Sequence, residues 1–67
     1  MNLNKGTKVV FGDRKGICTS IEKNERYPVE IEFERTSENP GLEIAYFDYN
    51  GVPKYGDGTE LKLKVLT

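Results

Sequence analysis

Chemistry in a protein begins with the side chains able to perform it, and this chain is poor in them. It has 67 residues, no histidine and a single cysteine, Cys18. A nucleophilic thiol needs a base beside it, and the commonest one is missing. Cys18 lies between Ile17 and Thr19 in a strand-like run, which predicts a small buried or half-buried thiol. Carboxylates are plentiful, but no pair is marked by the opposed surroundings that two-carboxylate acid–base work requires. One cysteine without histidine makes no zinc site. The expectation is a protein that is not an enzyme and carries no cofactor and no metal.

The aromatic and charged residues offer binding chemistry instead. Tyr27, Tyr46, Tyr49 and Tyr55, with Phe47, form an aromatic excess in the second half. Tyr46 and Phe47 are consecutive, so on one strand they face opposite ways and at least one leaves the core. Exposed tyrosines suit protein interfaces, adding rigid amphipathic area at low entropy cost. They can also stack nucleic-acid bases or cage a cation; packing at the core edge is the plainer alternative. Arg14 and Lys15, within Asp13-Arg14-Lys15-Gly16, present two cations to phosphate or to an acidic partner, although turns are commonly charged. A phosphate-cradling loop is a poor reading, since neither Walker-type spacing nor a following helix is present. Glu30, Glu32 and Glu34 fall on one strand face about 7 Å apart, a row able to mimic phosphates or dock a basic partner. Lys62 and Lys64 alternate similarly, and on a neighbouring strand they would neutralise that row.

Length and charge narrow the class further. A chain this short buries about 60% of its unfolded surface, too little for a large internal active site. Residues 1–67 read as one domain. One cysteine allows no internal disulfide, and the first residues lack a signal peptide's apolar stretch. No apolar run approaches the roughly 20 residues of a membrane span. A cytoplasmic protein with no membrane role is expected. The net charge is −1, unevenly spread: residues 1–15 carry +3, residues 16–48 carry −5 and residues 49–67 carry +1. Nucleic-acid modules usually show a strong basic excess, so the charge does not favour nucleic acid, though the chain ends can meet to make a basic patch.

The elements that would position these residues are strands. Thr7–Phe11 is the first, followed by a turn over Gly12–Gly16 whose glycines can supply positive φ. Gly16–Lys23 is the second, with Ile17, Thr19 and Ile21 on one face. After the polar loop Asn24-Glu25-Arg26, Pro28 opens the third strand, where Val29, Ile31 and Phe33 alternate with the glutamates. Thr36–Gly41 is the strongest break. The fourth strand, Leu42–Tyr49, leads into Asn50-Gly51, the commonest two-residue type I′ hairpin sequence. Val52–Tyr55 should return beside it. A loop over Gly56–Thr59 precedes a last strand at Leu61–Val65. No window repeats apolar residues at helical spacing. Five to six short antiparallel strands in so short a chain predict a strongly bent all-β sheet closed into a barrel. The predicted core is Val9, Phe11, Ile17, Ile21, Val29, Ile31, Phe33, Ile44, Leu61, Leu63 and Val65.

The run Lys5-Gly6-Thr7-Lys8-Val9-Val10-Phe11, through Gly16-Ile17-Cys18-Thr19-Ser20-Ile21-Glu22, resembles the opening of SH3-like barrels. It is similar to the Tudor-like tail domains of repair helicases, the RNA-polymerase-interacting domain of transcription-repair coupling factors, and KOW-type modules. Tyr27-Pro28-Val29-Glu30-Ile31-Glu32-Phe33, then Tyr46-Phe47-Asp48-Tyr49-Asn50-Gly51, resembles small uncharacterised bacteriophage proteins. Asp48-Tyr49 faintly resembles the groove of peptide-binding SH3 domains, although those also use a tryptophan and this chain has none. The resemblance implies a small SH3-like barrel far more than any function.

These observations lead to an expected stand-alone binding module that contacts a larger protein partner, such as a host protein, through Tyr27, Tyr46, Tyr49, Tyr55, Arg14 and Lys15. If the chain is phage-encoded, it would work in the host cytoplasm. The alternatives are a nucleic-acid-binding KOW- or Tudor-like module, or a small virion or assembly protein.

Overall fold

The computed structural model describes residues 3–56 and 61–66. The expected loop over Gly56–Thr59 lies outside them apart from Gly56. The described residues form five strands: β1 (Lys8–Phe11), β2 (Arg14–Ile21), β3 (Val29–Phe33), β4 (Ile44–Phe47) and β5 (Lys64–Val65). All pairings are antiparallel, in one sheet of order β4-β3-β2-β1-β5. The first four strands make a meander, and the fifth pairs with the first. No ladder joins β4 to β5 among the described residues, so the sheet is open. The expected sixth strand at Val52–Tyr55 is reduced to a bridge between Phe47 and Pro53. The Leu63 N–H donates to the Gly51 carbonyl at 2.9 Å, tying the approach to β5 to the turn after β4.

The turns differ in detail from the sequence reading. The first hairpin is tighter than Gly12–Gly16, because Phe11 and Arg14 are already paired across Gly12-Asp13. Gly12 has φ +64°, and among the described residues no non-glycine has positive φ. That pattern suits a type II′ turn, where only the first central residue is left-handed. Asn50-Gly51 is not a type I′ hairpin, which would need positive φ at Asn50 as well. The loop has three residues, Tyr49-Asn50-Gly51. The Gly51 N–H donates to the Asp48 carbonyl and the Asp48 N–H to the Val52 carbonyl. Asp48 Oδ1 accepts from the N–H groups of Asn50 (2.8 Å) and Val52 (2.9 Å). An aspartate cap with a left-handed glycine at φ +85° is a lower-strain solution than forcing Asn50 left-handed.

The core lies on one face of the sheet. Leu3, Val9, Cys18, Val29, Ile31, Phe33, Phe47 and Leu63 are buried, with Phe11, Ile21, Ala45 and Val65 packed against them. Three expected core residues, Ile17, Ile44 and Leu61, are exposed instead. In β2 the cause is a bulge. Cys18 pairs with Ile31, then Ser20 with Glu30, so Thr19 is an extra residue. The inserted residue inverts the alternation: Cys18 is inside before it and Ile21 after it, which leaves Ile17 outside. In β4, Phe47 is inside, so Ile44 and Tyr46 must point out.

Candidate functional site

The inner face of the sheet is not fully covered. A groove of about 500 Å³ opens beside β4. Its floor is the aromatic cluster of Phe11, Phe33 and Phe47, joined edge to face with centroids 5.2 Å apart for Phe11–Phe47 and 6.5 Å for Phe33–Phe47. These rings meet because β1, β3 and β4 each direct one phenylalanine inward, Phe11, Phe33 and Phe47. Ala45, Pro53, Tyr55 and Leu61 also line the groove.

Arg14 closes one end. It begins β2 on the inner face, directly across from Phe11. Its guanidinium lies 4.3 Å from the Phe33 ring centroid and forms an ion pair with Glu43. A planar cation stacked on a ring and held by a carboxylate is well positioned. Its charge is already matched, so the groove offers apolar surface with a polar end rather than a free cation.

Tyr46 stands on the outer side of β4, 37% exposed. Its hydroxyl donates to Glu30 Oε2 at 3.2 Å, and Thr19 Oγ1 donates to Glu30 Oε1 at 2.8 Å. The hydrogen bond to Glu30, and then that carboxylate's charge, hold the Tyr46 phenol above its ordinary pKa. Tyr55 is 86% exposed at the groove's rim. The Lys54 ammonium lies 5.4 Å from the Tyr55 ring centroid and 5.7 Å from that of Tyr46, bridging the two rings.

Of the six residues singled out by sequence, Arg14, Tyr46 and Tyr55 therefore converge on one groove. The other three lie elsewhere. Lys15 is exposed on the outer face opposite Val10, because consecutive strand residues point to opposite faces. Arg14 and Lys15 are thus not a pair of turn cations. Tyr49 sits on the three-residue loop after β4, and Tyr27 precedes β3 with the Arg26 guanidinium 5.7 Å from its ring centroid. Sequence reasoning missed the phenylalanine floor, Pro53 and the Arg14–Glu43 end. An inward phenylalanine reads as core, and nothing local says that the space in front of it stays open.

The acidic row is not neutralised as expected. β5 pairs with β1, so β1 and β2 separate Lys64 from β3, and Lys62 lies before β5. Lys64 faces Val10; Glu32 is flanked by Ile17 and Ile44. Glu32 thus faces outward beside the exposed Ile17 and Ile44, Glu30 accepts from Thr19 and Tyr46, and Glu34, whose N–H donates to the Lys15 carbonyl, stands opposite that lysine instead.

Cys18 is buried, and its thiol donates to the Ser20 carbonyl at 3.6 Å. Burial, assisted by the Glu30 charge, pushes its pKa above the ordinary value. Among the described residues, no group of three or more His, Cys, Asp and Glu is placed to hold a metal ion, and no helix is long and apolar enough to cross a membrane. Comparison with family models, curated proteins and solved structures finds no match for this chain.

Proposed function

We propose that this protein is a non-enzymatic binding module that acts by docking a larger protein partner in the groove beside β4. The groove's composition carries the reading: an aromatic floor of Phe11, Phe33 and Phe47, bordered by Tyr46 and Tyr55. A desolvated aromatic centre inside a polar rim is the usual anatomy of a protein interface. A small-molecule site would add several converging polar groups to fix orientation; here Arg14 and Glu43 already satisfy each other. The raised pKa of Cys18 keeps the one thiol protonated and is consistent with a role outside catalysis. A lone buried cysteine also fits a reducing cytoplasmic setting.

The architecture belongs to the same proposal: the sheet curls toward an SH3-like barrel. Two features support it. The fifth strand pairs with the first rather than the fourth, and the Leu63–Gly51 bond draws the two ends of the sheet toward each other.

Site-specific photo-crosslinking tests the function. A benzoylphenylalanine at position 55, in the cells that express the gene, should give one discrete protein adduct, and the same group at the exposed Lys23 should not. Equal or absent adducts at both positions contradict the proposal.

A second reading has its own observation. Lys15 and Lys64 both lie opposite Val10, and Lys8 lies opposite Ile17, so three cations share the outer face of β5, β1 and β2. A nucleic-acid contact there predicts binding that weakens steeply with salt. If Lys15→Ala leaves both the affinity for a DNA or RNA duplex and its salt slope unchanged, this reading falls.

A further inference from the structure

We propose that the stretch of β4 around Ile44 takes up an extended segment of the partner as an added strand. That segment is apolar on its groove side and carries lysine or arginine on its outer side. The inference rests on the docking reading above and names the partner's chemistry.

The pairing register points to it. The Phe33 N–H donates to the Glu43 carbonyl, and Phe33 lies opposite Glu43 by continuation of the β3–β4 register. Hydrogen-bonded pairs alternate along an antiparallel ladder, so the N–H and C=O of Ile44 and Tyr46 point away from β3. At Tyr46 the chain covers this edge itself, since the Lys54 N–H donates to the Tyr46 carbonyl. One step along, Ile44 has no backbone partner on that side among the described residues. It is 42% exposed, and Leu42 before it is 57% exposed. Edge strands are usually protected by charge, proline or a cover; among the described residues none of these stands at Ile44. Unmet backbone donors and acceptors are best satisfied by another extended backbone.

The flanking side chains set the strand's sequence. Its alternate residues would enter the groove over Phe33 and Phe47. The others would stand beside Ile44 on the outer face, where Glu32 is directly across on β3. Two strand spacings, about 10 Å, separate them. A lysine or arginine stem can lie along Ile44 and bring its charge toward that carboxylate. A second copy of this chain is disfavoured as occupant, because the outward residues it would present around Ile44 (Leu42, Ile44 and Tyr46) include no cation to meet Glu32.

Selection of a random twelve-residue display library on the immobilised full chain tests this, followed by amide hydrogen exchange. The expected binders alternate Lys or Arg with apolar residues and protect the Ile44 amide, which exchanges freely without peptide. Ile44→Pro removes that donor from a position outside the β3 ladder and should weaken binding about fivefold to tenfold. Glu32→Lys should remove the preference for cations. Exchange on the unsubstituted protein reads the contact directly, whether or not the proline variant folds. The proposal is overturned by no enriched peptide, by binders without alternation, by an Ile44 amide already protected in the free monomer, or by a dimer that Ile44→Pro abolishes. If the selected peptides ignore Ile44→Pro but lose affinity in Tyr55→Ala, strand addition falls and groove docking stands. If position 55 also yields no crosslinked partner, both fall.

Discussion

Gly16 is placed where β2 leaves no room for a side chain. A Cβ there would lie 2.8 Å from the Glu32 carbonyl oxygen and 2.9 Å from Ile31 Cγ2. The carbonyl belongs to the β3 backbone and cannot move without disturbing the ladder. Gly16→Ala should therefore destabilise the protein by about 1–3 kcal/mol, seen as a lower urea midpoint; an unchanged midpoint would contradict the packing. From sequence this glycine reads as part of a turn, because its requirement comes from a strand distant in the chain. Cys18 was more legible, as its place in a strand-like run implied a buried or half-buried thiol. The structure adds a pKa raised by burial, which has a definite sign. The fold favours the protonated thiol, so this stabilisation is present below the ordinary value of 9.0 and is lost as pH rises through the raised folded value. At pH 8, a thiol reagent should modify the native protein at least about tenfold more slowly than the urea-unfolded chain. Equal rates would show Cys18 to be accessible.

Among the elements, β3 was the most readable: Val29, Ile31 and Phe33 are all buried, because each glutamate between them fixes the alternation. β2 has no such marker. Its Thr19 bulge depends on the partner strand, so the pattern cannot reveal that Ile17 and Ile21 face opposite ways. In β4 the sequence Ile-Ala-Tyr-Phe offers apolar groups to both faces, and only the sheet's packing selects Phe47. The loop after β4 was legible as a turn but not by type, since Asp48 supplies the two hydrogen bonds that make the three-residue form preferable. Asp48→Ala should cost about 1–2 kcal/mol, while Asp48→Asn keeps the acceptor and should cost less. Equal losses for the two variants in thermal unfolding would remove the cap from the account.

At the scale of the molecule, the all-β class was visible in the spacing of strands and turns, but strand order was not. Order decides the remaining properties. Because β5 joins β1, the outer face carries Lys8, Lys15 and Lys64 on one half and Glu30 and Glu32 on the other, so the near-neutral net charge conceals two patches. The same arrangement makes β4 an edge, brings Arg14, Tyr46 and Tyr55 together, and leaves Tyr27 and Tyr49 apart. The groove reading therefore separates tyrosines that sequence alone treats alike. The most direct test compares the affinity of the partner crosslinked from position 55 for Tyr55→Ala and for Tyr49→Ala. Both side chains are well exposed, at 86% and 46%, so neither truncation should greatly disturb the fold. Docking in the groove predicts a loss of about tenfold or more for Tyr55→Ala and little change for Tyr49→Ala. Equal affinities for the two variants, or the larger loss at Tyr49, would contradict it.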